Sequence, residues 1–193
     1  MKSSKSHVMR LPNLDKNPRR NIGGVGEDTR TEADFIQDFE SVYFARKGQA
    51  GLASGEFALA GFGIADLVWI GWKKGALHDE FTALSLEKKL NRRQLYAFEG
   101  KIHDWQKALQ QAFRYRYFAD KSIVVMPREK IVAARRNLPA FERLGVGLWW
   151  LDQTNQTIRE LYTPTRIRAF SPQAKQKAIR KLTSNIDFCQ FGE

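Results

Sequence analysis

The order of apolar segments predicts an α/β domain with a central mixed β-sheet flanked by helices. Three observations carry this. A helix with one apolar face opens at Thr31, two apolar runs follow between 56 and 71, and a strand–helix–strand block fills 94 to 127. The resulting order is α-β-β-(α)-β-α-β, with a β-hairpin and helices added after it.

Thr31 is a suitable N-cap, and Glu32 and Asp34 suit the positive first turn of a helix. Phe35, Ile36, Phe39, Val42 and Tyr43 recur at the spacing of one helical face. Gly48, Gly51 and Gly55 then read as loop. Strands are expected at 56–61 and 64–71, joined as a hairpin near Gly61 and Gly63. Residues 78–93 read as a polar helix, 94–102 as a strand, 104–118 as a helix capped by Asp104, and Ser122–Met126 as a buried strand ended by Pro127. A basic helix over 128–137, a hairpin of 146–151 with 157–162, and a helix over 172–183 complete the chain. Residues 1–30 read as a basic flexible arm, and 31–193 as a single domain with its core at 31–127 and an extension at 128–193.

The chain has 193 residues, 42% of them hydrophobic and 12% aromatic, enough for a sizeable core. Its net charge of +11 favours a polyanionic partner. Cys189 is the single cysteine, which excludes an intrachain disulfide and any cysteine-rich zinc site. One cysteine fits a reducing cytoplasm. The N-terminus is basic without an apolar stretch, so no signal peptide is expected. The longest apolar run, 57–72, is broken by glycines and by Asp66, so no membrane partner is expected.

One constellation carries chemistry. Period 2 along 94–102 places Glu99 and Lys101 on one strand face, about 6–7 Å apart. Phe98, Gly100 and Ile102 then face the core. Asp66 is the lone acid in the run G-F-G-I-A-D-L-V-W-I, and a buried carboxylate needs a partner or a metal. Two carboxylates on neighbouring strands suit Mg²⁺, a hard ion that keeps several waters. Such an ion activates water and offsets phosphate charge, and Lys101 orients or activates the water or stabilises the developing negative charge. On the following helix, Ala108 permits close approach to the sheet and brings Gln111 towards the site. Arg114, Arg116, Arg135 and Arg136 are candidate phosphate contacts, with His103 beside them. Tyr115 and Tyr117 read as packing or stacking residues.

These pieces stand in the chain as T-E-A-D-F, G-I-A-D-L, F-E-G-K, D-W-Q-K-A-L-Q-Q-A and A-D-K-S-I-V-V-M-P. In that order they resemble the PD-(D/E)xK nuclease superfamily, the restriction-endonuclease-like fold with an αβββαβ core. The match spans residues 31 to 127. The resemblance implies that Asp66, Glu99 and the carbonyl of Gly100 bind metal and that Lys101 is catalytic. It adds Glu32 as the supporting acid of the first helix, with Glu40 as its competitor, and Gln111 from the second helix. Asp120 also matches the pattern and reads as structural. Ala65 stands where the name-giving motif has proline, a departure many relatives share.

The implied activity is metal-dependent phosphodiester hydrolysis, DNA favoured over RNA, with Mg²⁺ as cofactor and Mn²⁺ as a substitute. Cutting two strands needs two sites, which makes a homodimer or a partner subunit an open option. The competing expectation is a catalytically inactive nucleic-acid-binding or assembly module with the same fold.

Overall fold

Three short interruptions separate the segments that a computed structural model of the chain describes: residues 8–10, 31–72, 83–165 and 168–184. In chain order they form β1 (Val8–Arg10), α1 (Glu32–Lys47), β2 (Ala50–Leu59), β3 (Gly63–Trp72), α2 (Ala83–Asn91), β4 (Leu95–Gly100) and α3 (Trp105–Tyr115). There follow β5 (Lys121–Pro127), a 3₁₀ turn (Arg128–Lys130), α4 (Val132–Arg136), α5 (Leu138–Leu144), β6 (Gly147–Asp152), β7 (Thr157–Tyr162) and α6 (Pro172–Thr183). The seven strands make one sheet in sequential order. Strands β4, β5 and β6 run parallel, β3 and β7 antiparallel to their neighbours, and β1 parallel to β2. The α/β class and the helix-flanked mixed sheet agree with the sequence reading.

Both faces of this sheet are covered. On one side α1 brings Phe35, Phe39 and Tyr43 onto Trp69, Phe98 and Trp149. On the other, α2, α3, α5 and α6 cover Val68, Ala97, Val124 and Leu148. The central strands are therefore apolar on both faces, as parallel strands under helices must be. Phe98 does lie in a core, but so does its neighbour Ala97 on the opposite face. A single buried face, as the alternation along 94–102 implied, is too simple.

Thr31 caps α1 as expected. Its hydroxyl accepts from the Asp34 amide at 3.2 Å while Asp34 accepts from the Thr31 amide at 3.0 Å. Gly48 ends the helix in the left-handed region, where glycine carries no Cβ penalty.

Gly51 and Gly55 are not loop residues; they lie inside β2, which begins at Ala50. For Gly51 the reason is the Trp69 indole. Gly51 and Gly71 are opposite each other across β2 and β3, and the indole lies over both. A Cβ on Gly51 would fall 2.2 Å from the ring and 2.6 Å from the Ile70 carbonyl oxygen. Glycine here is a packing requirement that composition reads as a turn.

The expected basic helix over 128–137 is also broken. It becomes the 3₁₀ turn and the five-residue α4, with α5 a separate helix after Asn137. Residues 78–82 of the expected polar helix lie outside the described residues, and α2 forms most of the remainder, ending at Asn91. Most of the N-terminal arm also lies outside them. Its Val8–Arg10 segment is a strand against Gly51–Ala53. The hairpin of β6 with β7 and the final helix agree with expectation.

Asp152 shapes the β6–β7 turn. Its carboxylate accepts from the Asn155 side chain at 2.8 Å, the Asn155 amide at 3.0 Å and Arg128 at 2.6 Å. These bonds, the Asn155 side chain first, lower its pKa to about 2. Because that value lies below the ordinary ~3.9, Asp152 contributes stability above about pH 4 and loses it as the pH falls towards 2. Asn155→Ala should raise the Asp152 titration midpoint, read by carboxyl NMR, towards the ordinary value. A midpoint unchanged near 2 would remove Asn155 as the main cause. Separately, Gly51→Ala should lower stability in urea unfolding by about 1–3 kcal/mol through overpacking; a wild-type midpoint would mean that the indole moves aside freely.

Candidate active site

The register of β3 on β4 brings the two predicted carboxylates together. Leu67 pairs with Phe98 and Val68 with Ala97, and Asp66 and Glu99 are the next residues on the two strands, just past the last paired position. The pair sits where β4, β5 and β6 end, the end of an open α/β sheet at which ligands bind. Both side chains are buried, Glu99 completely.

Each carboxylate is anchored. An Asp66 oxygen accepts from the Gly100 amide at 2.8 Å, extending the β3–β4 ladder through a side chain. A Glu99 oxygen lies 2.6 Å from the Tyr115 hydroxyl, which also lies 2.5 Å from the Ile64 carbonyl oxygen. One phenol thus ties α3 to both strands that carry the acids. Composition gave no reason to single out Tyr115. The usable signal was its place four residues beyond Gln111, on the same helical face.

Lys101 follows the strand end. Its amide donates to the Val125 carbonyl at 3.0 Å, which fixes the backbone beside β5. Its ammonium donates to a Glu32 oxygen at 2.5 Å, with the lysine side chain 12% and the glutamate 40% exposed. Strict alternation would leave Lys101 on the Glu99 face, toward α3. The strand stops at Gly100, and the long side chain instead joins the first residue of α1. Glu32 can take this role because Thr31 and Asp34 already cap the helix. Glu40 is buried two turns further along α1, roughly 12 Å away. The geometry therefore assigns the helix-one contact to Glu32.

Gly100 makes this meeting of α1 and β4 compact. A Cβ there would lie 2.2 Å from Ile36 Cδ1 and 2.5 Å from Ile36 Cγ1. On α3, Ala108 is fully buried. The Gln111 carbonyl oxygen is buried and lacks a hydrogen-bond partner among the described residues. A buried acceptor left this way costs about 1–3 kcal/mol, so it invites a water or a ligand.

Opposite Asp66 on its other side stands Glu56, between the pairs Gly55–Leu67 and Phe57–Ala65. Glu56 has φ of +44°, uncommon for a residue with a side chain. The pleat breaks there: Ala53 and Leu67 belong to the α1-side core, Phe57 and Ala65 to the other. The sequence carried no sign of this break.

The basic candidates divide. His103, Arg114, Arg135 and Arg136 are exposed. Arg116 is not a free phosphate contact. It donates to the Leu144 carbonyl at 2.6 Å and lies 4.0 Å over the Phe170 ring, and burial lowers its pKa. Asp120 is structural, as expected: it accepts from the Leu95 amide and pairs with Lys175 at 2.6 Å.

The hard-oxygen donors available to a cation here are Asp66, Glu99 and the Gly100 carbonyl. Among the described residues no group of three or more His, Cys, Asp or Glu side chains is arranged to hold a metal. Tyr115→Phe should lower stability by about 1–3 kcal/mol, because the buried Glu99 carboxylate or the partly buried Ile64 carbonyl loses its donor. Unfolding at the wild-type denaturant midpoint would show that the hydroxyl carries no such weight.

No known family model matches the chain, and no curated protein matches it. Among solved structures it is similar to a protein of unknown function from Silicibacter pomeroyi. The two are 16% identical, with a TM-score of 0.44 over 69% of this chain and 73% of the other.

Proposed function

We propose that this protein is a Mg²⁺-dependent deoxyribonuclease of the PD-(D/E)xK type, acting as an endonuclease in the cytoplasm. The observation that carries the reading is the placement of buried Asp66, bonded to the Gly100 amide, next to buried Glu99 at one end of the sheet, with Lys101 at the adjoining strand end. Among the described residues no helix is long and apolar enough to cross a membrane.

The donor set fits Mg²⁺ better than zinc. It offers carboxylate and carbonyl oxygens from fixed backbone and neither thiolate nor imidazole. Asp66, Glu99 and the Gly100 carbonyl would hold the ion, which supplies charge neutralisation at the phosphate and a water of lowered pKa. A carboxylate has about four lone-pair positions, so the bonds to Gly100 and Tyr115 orient the acids without exhausting them. Lys101 stabilises negative charge on the phosphate, or delivers a proton to the leaving oxygen, once substrate competes with Glu32 for its ammonium. Gln111 uses its buried carbonyl to orient a water. Arg114, Arg135, Arg136 and His103 hold the flanking phosphates, which makes binding salt-sensitive.

A second reading is a catalytically inactive module with the same fold. The ion pair of Lys101 with Glu32 favours it, because that pair holds the ammonium without substrate. Cleavage of labelled DNA and RNA in Mg²⁺, Mn²⁺ or EDTA separates the two readings. Asp66→Asn keeps an acceptor for the Gly100 amide while removing the charge. That variant and Lys101→Ala should each lose about 100-fold or more of the Mg²⁺-dependent rate. Equal cleavage by both variants and wild type would overturn the nuclease reading. Salt-sensitive binding with no cleavage of any substrate would establish the inactive module.

A further inference from the structure

An aromatic ladder lies beside the acid pair. Phe62, in the β2–β3 turn, stacks on Tyr117 with centroids 5.4 Å apart and planes at 25°. Tyr117 meets Phe170 edge-to-face at 5.5 Å and 86°, and Phe113 meets Phe170 at 6.1 Å and 70°. Tyr117 and Phe170 are 43% and 48% exposed, and Ile64 on the same hairpin is 39% exposed. These are three of the four exposed large hydrophobic side chains among the described residues. Aromatic rings left in water at one place mark a contact surface.

Charge identifies the occupant. The Arg116 guanidinium, held by the Leu144 carbonyl, covers part of Phe170 and leaves phosphate contacts to its neighbours. Arg114 and Arg168, close in sequence to Tyr117 and Phe170, are exposed and make no ion pair among the described residues. Exposed aromatic rings interleaved with cations are the chemistry that holds unpaired bases, rings taking the base faces and arginines the phosphates. A duplex shields its base faces by stacking and cannot use such a surface.

The ladder is continuous with the proposed active site. Phe62 is four residues before Asp66 in the same hairpin. Tyr117 is two residues after Tyr115, whose hydroxyl reaches Glu99. We propose that Phe62, Tyr117 and Phe170 form a stacking platform for single-stranded nucleic acid, which delivers an unpaired segment to the Asp66–Glu99 pair. This rests on the nuclease reading for the delivery step alone; the binding step stands apart from it.

The test measures binding in EDTA by fluorescence anisotropy, with a labelled oligothymidylate and a blunt duplex of equal length. Tyr117→Ala should weaken oligothymidylate binding roughly 5- to 150-fold and leave duplex binding near wild type. Tyr117→Phe should retain binding, because it keeps the ring. Arg114→Ala and Arg168→Ala should each reduce the salt slope by about one. Thermal unfolding of each variant checks the fold, and Phe170→Leu serves as a second ring removal should Tyr117→Ala be unstable. Wild-type affinity in the ring-removal variants would overturn the platform, as would equal weakening for both substrates. No oligonucleotide binding by the wild type would also overturn it and turn the face over to a protein partner. Platform binding without Mg²⁺-dependent cleavage would sink the nuclease reading alone. Cleavage whose strand preference ignores Tyr117 would sink the platform alone.

Discussion

Two acids withdrawn from water at adjoining positions of one sheet set the terms for the rest of this structure. Asp66 and Glu99 both lie just past the last paired position of β3 and β4, and burial of charge without compensation is costly. The fold supplies compensation from two donors. The Gly100 amide holds Asp66, the Tyr115 hydroxyl holds Glu99, and the same hydroxyl reaches back to the Ile64 carbonyl oxygen. Tyr115 therefore couples the position of α3 to the geometry of the acids. Small Ala108 and Ala112 let that helix sit close enough for the contact.

The sheet edge at this end is reached from both faces. The acids are braced by α3, whereas Lys101 is held by Glu32 at the start of α1. Gly100 is the hinge of that arrangement, because any larger residue would push α1 away through Ile36. The E-G-K tripeptide thus serves two helices at once: the glutamate meets one, the glycine and the lysine meet the other. The sharp left-handed φ at Glu56 belongs to the same region. A conformation costing about 1–3 kcal/mol there coincides with the change of core face between Ala53 and Phe57 along β2.

Much of the fold was legible because hydrophobic periodicity and capping are local. Thr31 and Asp104 cap the helices expected of them, and the β6–β7 hairpin turns where Asp152 and Asn155 stand. Gly51 misled because its reason lies in the Trp69 ring, eighteen residues away and across the ladder. Arg116 misled in the same way: an arginine in a helix reads as a solvent-facing cation, while its partners Leu144 and Phe170 are distant in sequence.

Residue type and spacing alone were enough to mark Asp66, Glu99 and Lys101 and to place the acids on separate strands, since a lone acid in an apolar run and an E-x-K on a strand are local patterns. Register is not local. A slip of one residue turns every side chain of a strand to the other face, so the placement of Asp66 next to Glu99 required the paired sheet. The same holds for Tyr115 on Glu99, Glu32 on Lys101 and the ladder from Phe62 to Phe170. Each joins elements far apart in the chain, and each depends on helices that settle only when both faces of the sheet are covered.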